Sequence, residues 1–204
     1  MRRSRSTSQL KQYRIEFYGR VSSLVKQIKD ELKYLEYCRK TMRDYPDIKL
    51  QLFTVCIAGF PNVGKTTLLS KLTTASPEIK SYPFTTKSLN LGYLEKNYKK
   101  IQFIDTPGTL NRLNKMNNVE KQAYLAIKYL ANLVIYIFDL TEPYPLENQE
   151  KLLKRIKRYD KDTILYLSKT DVLAKEVVEN FDKEVFTSID KLKIELWKRF
   201  NRFY

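Results

Sequence analysis

The chain has 204 residues and a formal charge of +15, from 38 Lys and Arg against 23 Asp and Glu. It contains no histidine, and its two cysteines, Cys38 and Cys56, stand at no metal-ligand spacing. Histidine-based acid–base catalysis and a disulfide framework are therefore excluded.

A charge excess of this size points to a polyanionic neighbour, nucleic acid before an acidic membrane surface. A lysine-rich surface that serves solubility alone gives the same composition. No window approaches the ~18 uninterrupted apolar residues of a membrane span, so no membrane role is expected. Met1-Arg2-Arg3-Ser4-Arg5-Ser6 is basic but leads into no apolar signal core, so it reads as an arm. Two cysteines in apolar patterns fit a reducing, cytoplasmic setting.

From Leu10 to Met42, apolar residues recur in steps of three or four at Phe17, Val21, Leu24, Ile28, Leu32, Leu35, Cys38 and Met42. That spacing predicts one long helix with a single apolar stripe. Tyr45-Pro46-Asp47 ends it, because proline disfavours helix in the residue before it. Such a stripe needs a cover: another domain, a second helix or a partner. The first fifty residues carry 13 Lys and Arg against 6 Asp and Glu. We expect residues 1–50 to form a basic arm and amphipathic helix, and 51–204 to form a second domain.

After residue 50 strand-like and helix-like runs alternate. Strands are predicted at 52–58, 89–95, 100–105, 133–139, 163–168 and 184–187. Helices are predicted at 65–73, 118–131, 146–159, 172–180 and 189–203. Leu133-Val134-Ile135-Tyr136-Ile137-Phe138 is apolar on both faces, as a sheet covered on both sides requires. Leu89–Tyr93 alternates, as an edge strand would. The polar stretch 111–118 reads as a loop. The expected class is α/β, a mostly parallel six-stranded sheet with helices on both faces, binding ligands at the carboxyl ends of its strands.

The motifs fall at those strand ends. Gly59-Phe60-Pro61-Asn62-Val63-Gly64-Lys65-Thr66 has the phosphate-cradling form G-x-x-x-x-G-K-[ST], after an apolar run and before a helix opened by Lys65, Thr66 and Thr67. Its glycines free backbone N–H groups to point at an anion. Lys65 would reach the β- and γ-phosphates, and the Thr66 hydroxyl would meet Mg²⁺.

Tyr82-Pro83-Phe84-Thr85-Thr86-Lys87 follows. A threonine there can place its hydroxyl on Mg²⁺ and its N–H on the γ-phosphate, although a solvated proline loop reads the same way. Asp105-Thr106-Pro107-Gly108 ends a strand: Asp105 would hold a Mg²⁺ water and the Gly108 N–H would face the γ-phosphate.

Ser168-Lys169-Thr170-Asp171 follows another strand. A carboxylate at Asp171 can accept both guanine N1–H and the exocyclic amine, a donor pair adenine lacks. The Lys169 stem can lie over the base. As a bland alternative, Asp171 is a first-turn helix residue. Ser188 and Ile189 end the last strand, where backbone could meet the guanine oxygen.

With these residues assembled, the chain resembles the Obg-like GTPases, for which Tyr-Pro-Phe-Thr-Thr is distinctive. Phe84–Leu89, Val119-Glu120-Lys121-Gln122-Ala123 and Gly19-Arg20-Val21 look like the nucleolar GTP-binding protein (Nog) branch, in a short archaeal-type form. The resemblance covers roughly residues 15–190.

It implies a Ras-like P-loop GTPase fold that binds GTP or GDP. Thr66 and Thr86 would be the protein's Mg²⁺ ligands, with Asp105 behind them through water, and Lys65, Thr86 and Gly108 would serve catalysis. The implied partner is ribosomal RNA or the large ribosomal subunit, contacted in the family by the N-terminal helical domain. Asn62 matches a phosphate-loop asparagine that binds K⁺ in some relatives.

Ser168 stands where relatives usually carry Asn, which implies looser coupling between phosphate loop and base. The helical region is shorter than a full bundle, and relatives with C-terminal extensions outlast the chain. Thr109 stands where Ras-type enzymes carry a water-orienting glutamine, so hydrolysis is expected to be slow and raised by an RNA or protein activator. A monomer is expected. A switch that binds a protein effector through the N-terminal stripe, with no ribosomal role, remains the alternative, and so does a nucleotide-binding relic.

Overall fold

A computed structural model describes residues 7–43, 48–74, 78–81, 88–106, 118–141 and 144–204. The chain divides into two compact units, Met1–Asp44 and Tyr45–Tyr204.

The first unit is helical. The predicted single helix is two: α1 (Thr7–Gln27) and α2 (Lys29–Arg43), with a turn at Ile28. No proline or glycine lies between them. Asp30 and Glu31 occupy the first turn of α2, where negative charge favours a helix N-terminus. Leu32 N–H still donates to Ile28 O at 3.0 Å, so the apolar stripe continues across the break. Phe17, Leu24 and Leu35 are exposed.

The second unit is built on a six-stranded sheet. Its elements are β1 (Phe53–Ala58), α3 (Lys65–Leu72), β2 (Glu78–Ser81), β3 (Ser88–Lys96), β4 (Lys99–Asp105), α4 (Asn118–Tyr129), β5 (Leu133–Phe138), α5 (Leu146–Lys157), β6 (Asp162–Leu167), α6 (Lys175–Glu179) and α7 (Ile189–Phe203). The strand order is β2-β3-β4-β1-β5-β6. β4, β1, β5 and β6 run parallel, and β2 and β3 extend the sheet antiparallel. β1 and β5 are buried at every position, which is why they carry unbroken apolar sequence. The chain leaves β4 on one side of β1 and returns as β5 on the other. The carboxyl end of β1 is thus where the strand order reverses, the usual place for a ligand in an open α/β sheet.

Three expectations are corrected. β3 is not an edge strand: β2 pairs with it outside, Lys80 opposite Leu89. Glu78-Ile79-Lys80-Ser81 is too short and too polar to signal a strand by period. The predicted strand at 184–187 is reduced to one parallel bridge, Tyr166 with Phe186; Phe186 N–H donates to Leu165 O and Leu167 N–H to Phe186 O, each at 2.9 Å. The helix predicted at 172–180 shortens to α6. The loop predicted at 111–118 lies outside the described residues except for Asn118, which opens α4.

Close packing against the sheet fixes α3. A Cβ at Gly92 would stand 2.3 Å from Thr73 Cγ2 and 2.9 Å from Leu69 Cδ1, so β3 accepts the helix only at a residue without a side chain. Leu68, Leu69 and Leu72 are the buried face. That contact aims the N-terminus of α3 at the end of β1.

Candidate nucleotide site at the carboxyl ends of the strands

Gly59 to Thr66 forms the turn between β1 and α3. A Cβ at Gly59 would sit 3.0 Å from Ile137 O and 3.1 Å from Val63 Cγ2, so the backbone passes too close to β5 for a side chain. Asn62 (φ 64°) and Gly64 (φ 88°) are left-handed, and Gly64 caps α3. Asn tolerates that region and Gly is unstrained in it. This path lifts successive N–H groups toward the helix axis, a concave anion cradle.

Lys65 is buried, and its Nζ donates back across the loop to Phe60 O at 2.6 Å. Phe60 is anchored by Tyr144, with ring centroids 5.0 Å apart. An ammonium held beneath the loop by this carbonyl is pre-positioned for phosphate oxygens.

Asp105 lies at the end of β4, opposite Ile57 of β1. It is 5% exposed. Its Oδ2 accepts from the Thr66 hydroxyl at 2.6 Å and from Asn90 Nδ2 at 2.9 Å. Its Oδ1 is buried and has no hydrogen-bond partner among the described residues. Burial pushes the carboxyl above its ordinary range, against the opposing pull of Thr66, Asn90 and the Lys65 charge.

A hard divalent cation fits this donor set. Thr66 donates its hydroxyl hydrogen to Asp105 and keeps oxygen lone pairs for a metal, and the orphan Oδ1 is an acceptor for a metal-bound water. Thr106 turns away: its hydroxyl donates to Ile57 O at 2.7 Å and its N–H to the same oxygen at 3.2 Å, a clamp between β4 and β1. Thr67 is exposed on α3. Phe84, Thr85, Thr86, Pro107, Gly108 and Thr109 lie outside the described residues.

The third cluster follows β6. Ser168 faces the phosphate loop, its Cβ 4.0 Å from the position a Gly64 Cβ would take. Its hydroxyl and N–H nevertheless both meet Phe138 O, each at 3.0 Å. The hydroxyl is thus committed to β5. Lys169 (φ 53°) sits 2.7 Å from Oδ2 of Asp139, which is wholly buried. The pairing there is ionic, and among the described residues no directed hydrogen bond reaches that oxygen.

Asp139 Oδ1 accepts from Thr141 N–H and hydroxyl at 2.8 and 2.7 Å. Gln149 brackets the Asp139 backbone, receiving its N–H at 3.1 Å and donating to its carbonyl at 2.8 Å. Asp171 is exposed, its carboxylate open to a ligand. Ser188 caps α7 through backbone alone, with Leu192 N–H donating to its carbonyl at 3.1 Å, and Ile189 is half-buried.

The sequence pattern does not single out Asn90, Asp139 or Gln149. Asn90 becomes visible only through the register that sets it opposite Asp105. Asp139 hides at the end of an apolar run; Thr141 is two residues on, but Gln149 and Lys169 are ten and thirty residues away.

Comparison with known proteins agrees with this geometry. Residues 54–169, more than half the chain, match the family model described as 50S ribosome-binding GTPase. A protein of Methanocaldococcus jannaschii named only as uncharacterised is 46% identical over 88% of this chain and 51% of its own length. The nucleolar GTP-binding protein 1 of Saccharomyces cerevisiae is 35% identical over 92% of this chain and 30% of its own length. The chain thus spans about half the length of the first relative and under a third of the second. Among solved structures, the G domain of the Thermotoga maritima FeoB iron transporter superposes with TM-score 0.57 at 30% identity, covering 75% of this chain and 99% of that one. A Plasmodium falciparum structure described as nucleolar GTP-binding protein 1 superposes at 0.58 and 22% identity, over 78% and 91%, and shares the fold. With a glycine-bounded loop, a buried lysine and a buried aspartate converging on the end of β1, and a family model running through all three, the chain belongs to the 50S ribosome-binding GTPases.

Proposed function

We propose that the chain binds GTP with Mg²⁺, hydrolyses it slowly, and in its GTP state associates with the large ribosomal subunit as an assembly factor. The observation that carries the site is the meeting of Lys65, Thr66 and Asp105, one oxygen of which has no hydrogen-bond partner among the described residues. Lys65 would exchange the Phe60 carbonyl for β- and γ-phosphate oxygens. Thr66 and Thr86 would hold the Mg²⁺, with Asp105 fixing a water on it. The ion supplies positive charge where hydrolysis loads the phosphate oxygens. Phosphate-loop N–H groups and the Gly108 N–H would orient the γ-phosphate. Asp171 would read the guanine edge, with Lys169 along the base and the backbone at Ser188 and Ile189 near its oxygen.

Nothing in Asp105–Thr109 supplies a glutamine to orient water, so the free protein should turn over slowly and a partner should accelerate it. Asn62, left-handed in the loop, is where K⁺ would act. Turnover should then rise when KCl replaces NaCl; equal rates reject the potassium role, and rapid turnover by the free protein rejects the need for a partner.

The ribosomal half rests on the charge of +15 and on relatives whose names tie them to the nucleolus. In gradient sedimentation with a non-hydrolysable GTP analogue, the protein should travel with large-subunit particles and leave them as salt rises. Free sedimentation in both nucleotide states would leave the second reading, a switch that docks a protein effector on the exposed stripe of α1 and α2. Val21, Ile28 and Leu35 are 39%, 49% and 61% exposed on that stripe. Polar replacements there, rather than lysine replacements, should then abolish partner binding.

A further inference from the structure

β3 and β4 are joined by a two-residue turn, Asn97-Tyr98, at φ 49° and 63°. Tight hairpins need that left-handed pair, and Asn adopts it readily. Tyr does not: a bulky side chain at positive φ is sterically costly. Tyr98 repays none of this by packing, since it is fully exposed. A second cost lies beside it. Lys96 pairs directly with Lys99 across the hairpin, like charges that destabilise the tip. Two local conflicts at one tip are what a functional surface leaves in an otherwise consistent fold.

The tip opens onto a groove of about 540 Å³ against α7, whose lining includes Lys96, Lys193, Lys198, Ile194 and Trp197 together with the acidic Glu95 and Asp190. A smaller hollow of about 240 Å³ continues it past Asn97 and Lys99. Trp197 leans edge-on against Phe200, centroids 5.3 Å apart, and still lines both hollows. Lys100 is taken up by Glu95 at 2.6 Å, whereas Lys96 and Lys193 form no ion pair with a described residue. Residues 95–100 and 189–204 hold eight Lys and Arg against three Asp and Glu. β4 separates this surface from Asp105 by roughly 20 Å of strand, so it stands at the opposite end of the sheet from the phosphate loop.

We infer that this surface binds single-stranded RNA, phosphates on Lys96, Lys99, Lys193 and Lys198 and unpaired bases on Tyr98 and Trp197. Aromatic platforms interleaved with cations are the chemistry of single-strand binding. A duplex offers no free base to stack, and an acidic peptide has no use for the rings. RNA rather than DNA follows from the ribosomal reading above; the surface itself does not depend on it.

Trp197 is the only tryptophan in the chain, so its emission reports this groove and not the N-terminal helices. In the full-length protein a short oligouridylate should quench it saturably, with the midpoint rising with salt and unmoved by saturating GDP. Lys96→Glu with Lys193→Glu should weaken RNA binding roughly tenfold. Tyr98→Ala should weaken it about fivefold or more. Both variants should keep their GDP affinity, which shows that they fold.

RNA binding seen by anisotropy with Trp197 emission unchanged overturns the proposal, because the strand then lies elsewhere. Equal quenching by polyglutamate overturns it in favour of bare charge or an acidic peptide. Equal quenching by oligodeoxyuridylate overturns the choice of RNA. Quenching that persists when the protein fails to sediment with ribosomal particles supports the surface and removes the ribosomal reading alone.

Discussion

Asp171→Asn is expected to lower GTP affinity roughly a hundredfold or more and to raise affinity for XTP. Guanine offers two adjacent donors, N1–H and the exocyclic amine, and a carboxylate accepts both. Hydrogen bonds to a charged group contribute about 1.5–3 kcal/mol each, and a donor turned against a donor adds a penalty, so one amide nitrogen in place of one oxygen is enough. Xanthine carries a carbonyl where guanine carries the amine, and the same amide nitrogen then donates to it. Asp171 is exposed, so the substitution should leave the melting temperature near that of the parent. Competition titrations with GTP, XTP and ATP check the outcome. Unchanged GTP affinity would show that the base is read elsewhere, and ATP competing as well as GTP in the parent protein would remove guanine selectivity altogether.

Lys65→Met should lower GTP turnover by about a hundredfold to a thousandfold, the usual cost of removing one preorganised donor from a developing negative charge. The buried stem of Lys65 packs under the phosphate loop, and methionine replaces it at similar volume, so the effect should fall on the charge. One structural cost accompanies it: the Phe60 carbonyl loses its 2.6 Å donor. The group left without its donor is a neutral carbonyl, which costs about 1–3 kcal/mol. The catalytic loss is larger, and single-turnover hydrolysis together with a melting curve separates the two. Turnover near the parent rate in a folded variant would mean that Lys65 serves only to brace Phe60.

How much of this could be read from the sequence depends on the distance over which each feature is encoded. The phosphate loop is local: eight consecutive residues fix the turn, the cradle and the lysine, and Leu52–Ala58 and Leu68–Leu72 announce the elements on either side. β1 and β5 were legible because both their faces are buried, which leaves unbroken apolar runs. Asp105 was legible because a strand ends on it. Asn90 was not, because its role comes from antiparallel register with β4, and a pattern of period two marks a face without naming a partner. β2 was missed for the same reason: four residues with two charges carry no period, and β3 alone makes them a strand. The break at Ile28 interrupts a continuous stripe with no proline or glycine to announce it; the acidic pair Asp30-Glu31 suits a helix start but is too weak a signal to outweigh periodicity. Ser168 is instructive in another way. Its departure from the usual asparagine was visible in sequence, but only the fold places its hydroxyl on Phe138 O, where it ties two strands together.

The most direct measurement is a titration of the full chain with fluorescent GDP and ADP, each with and without Mg²⁺. Saturable GDP binding, strengthened by Mg²⁺ and far tighter than ADP binding, is the expected result. No binding of either nucleotide, or equal binding of both, would contradict a triphosphate cradle at Gly59–Thr66 coupled to a guanine-reading Asp171.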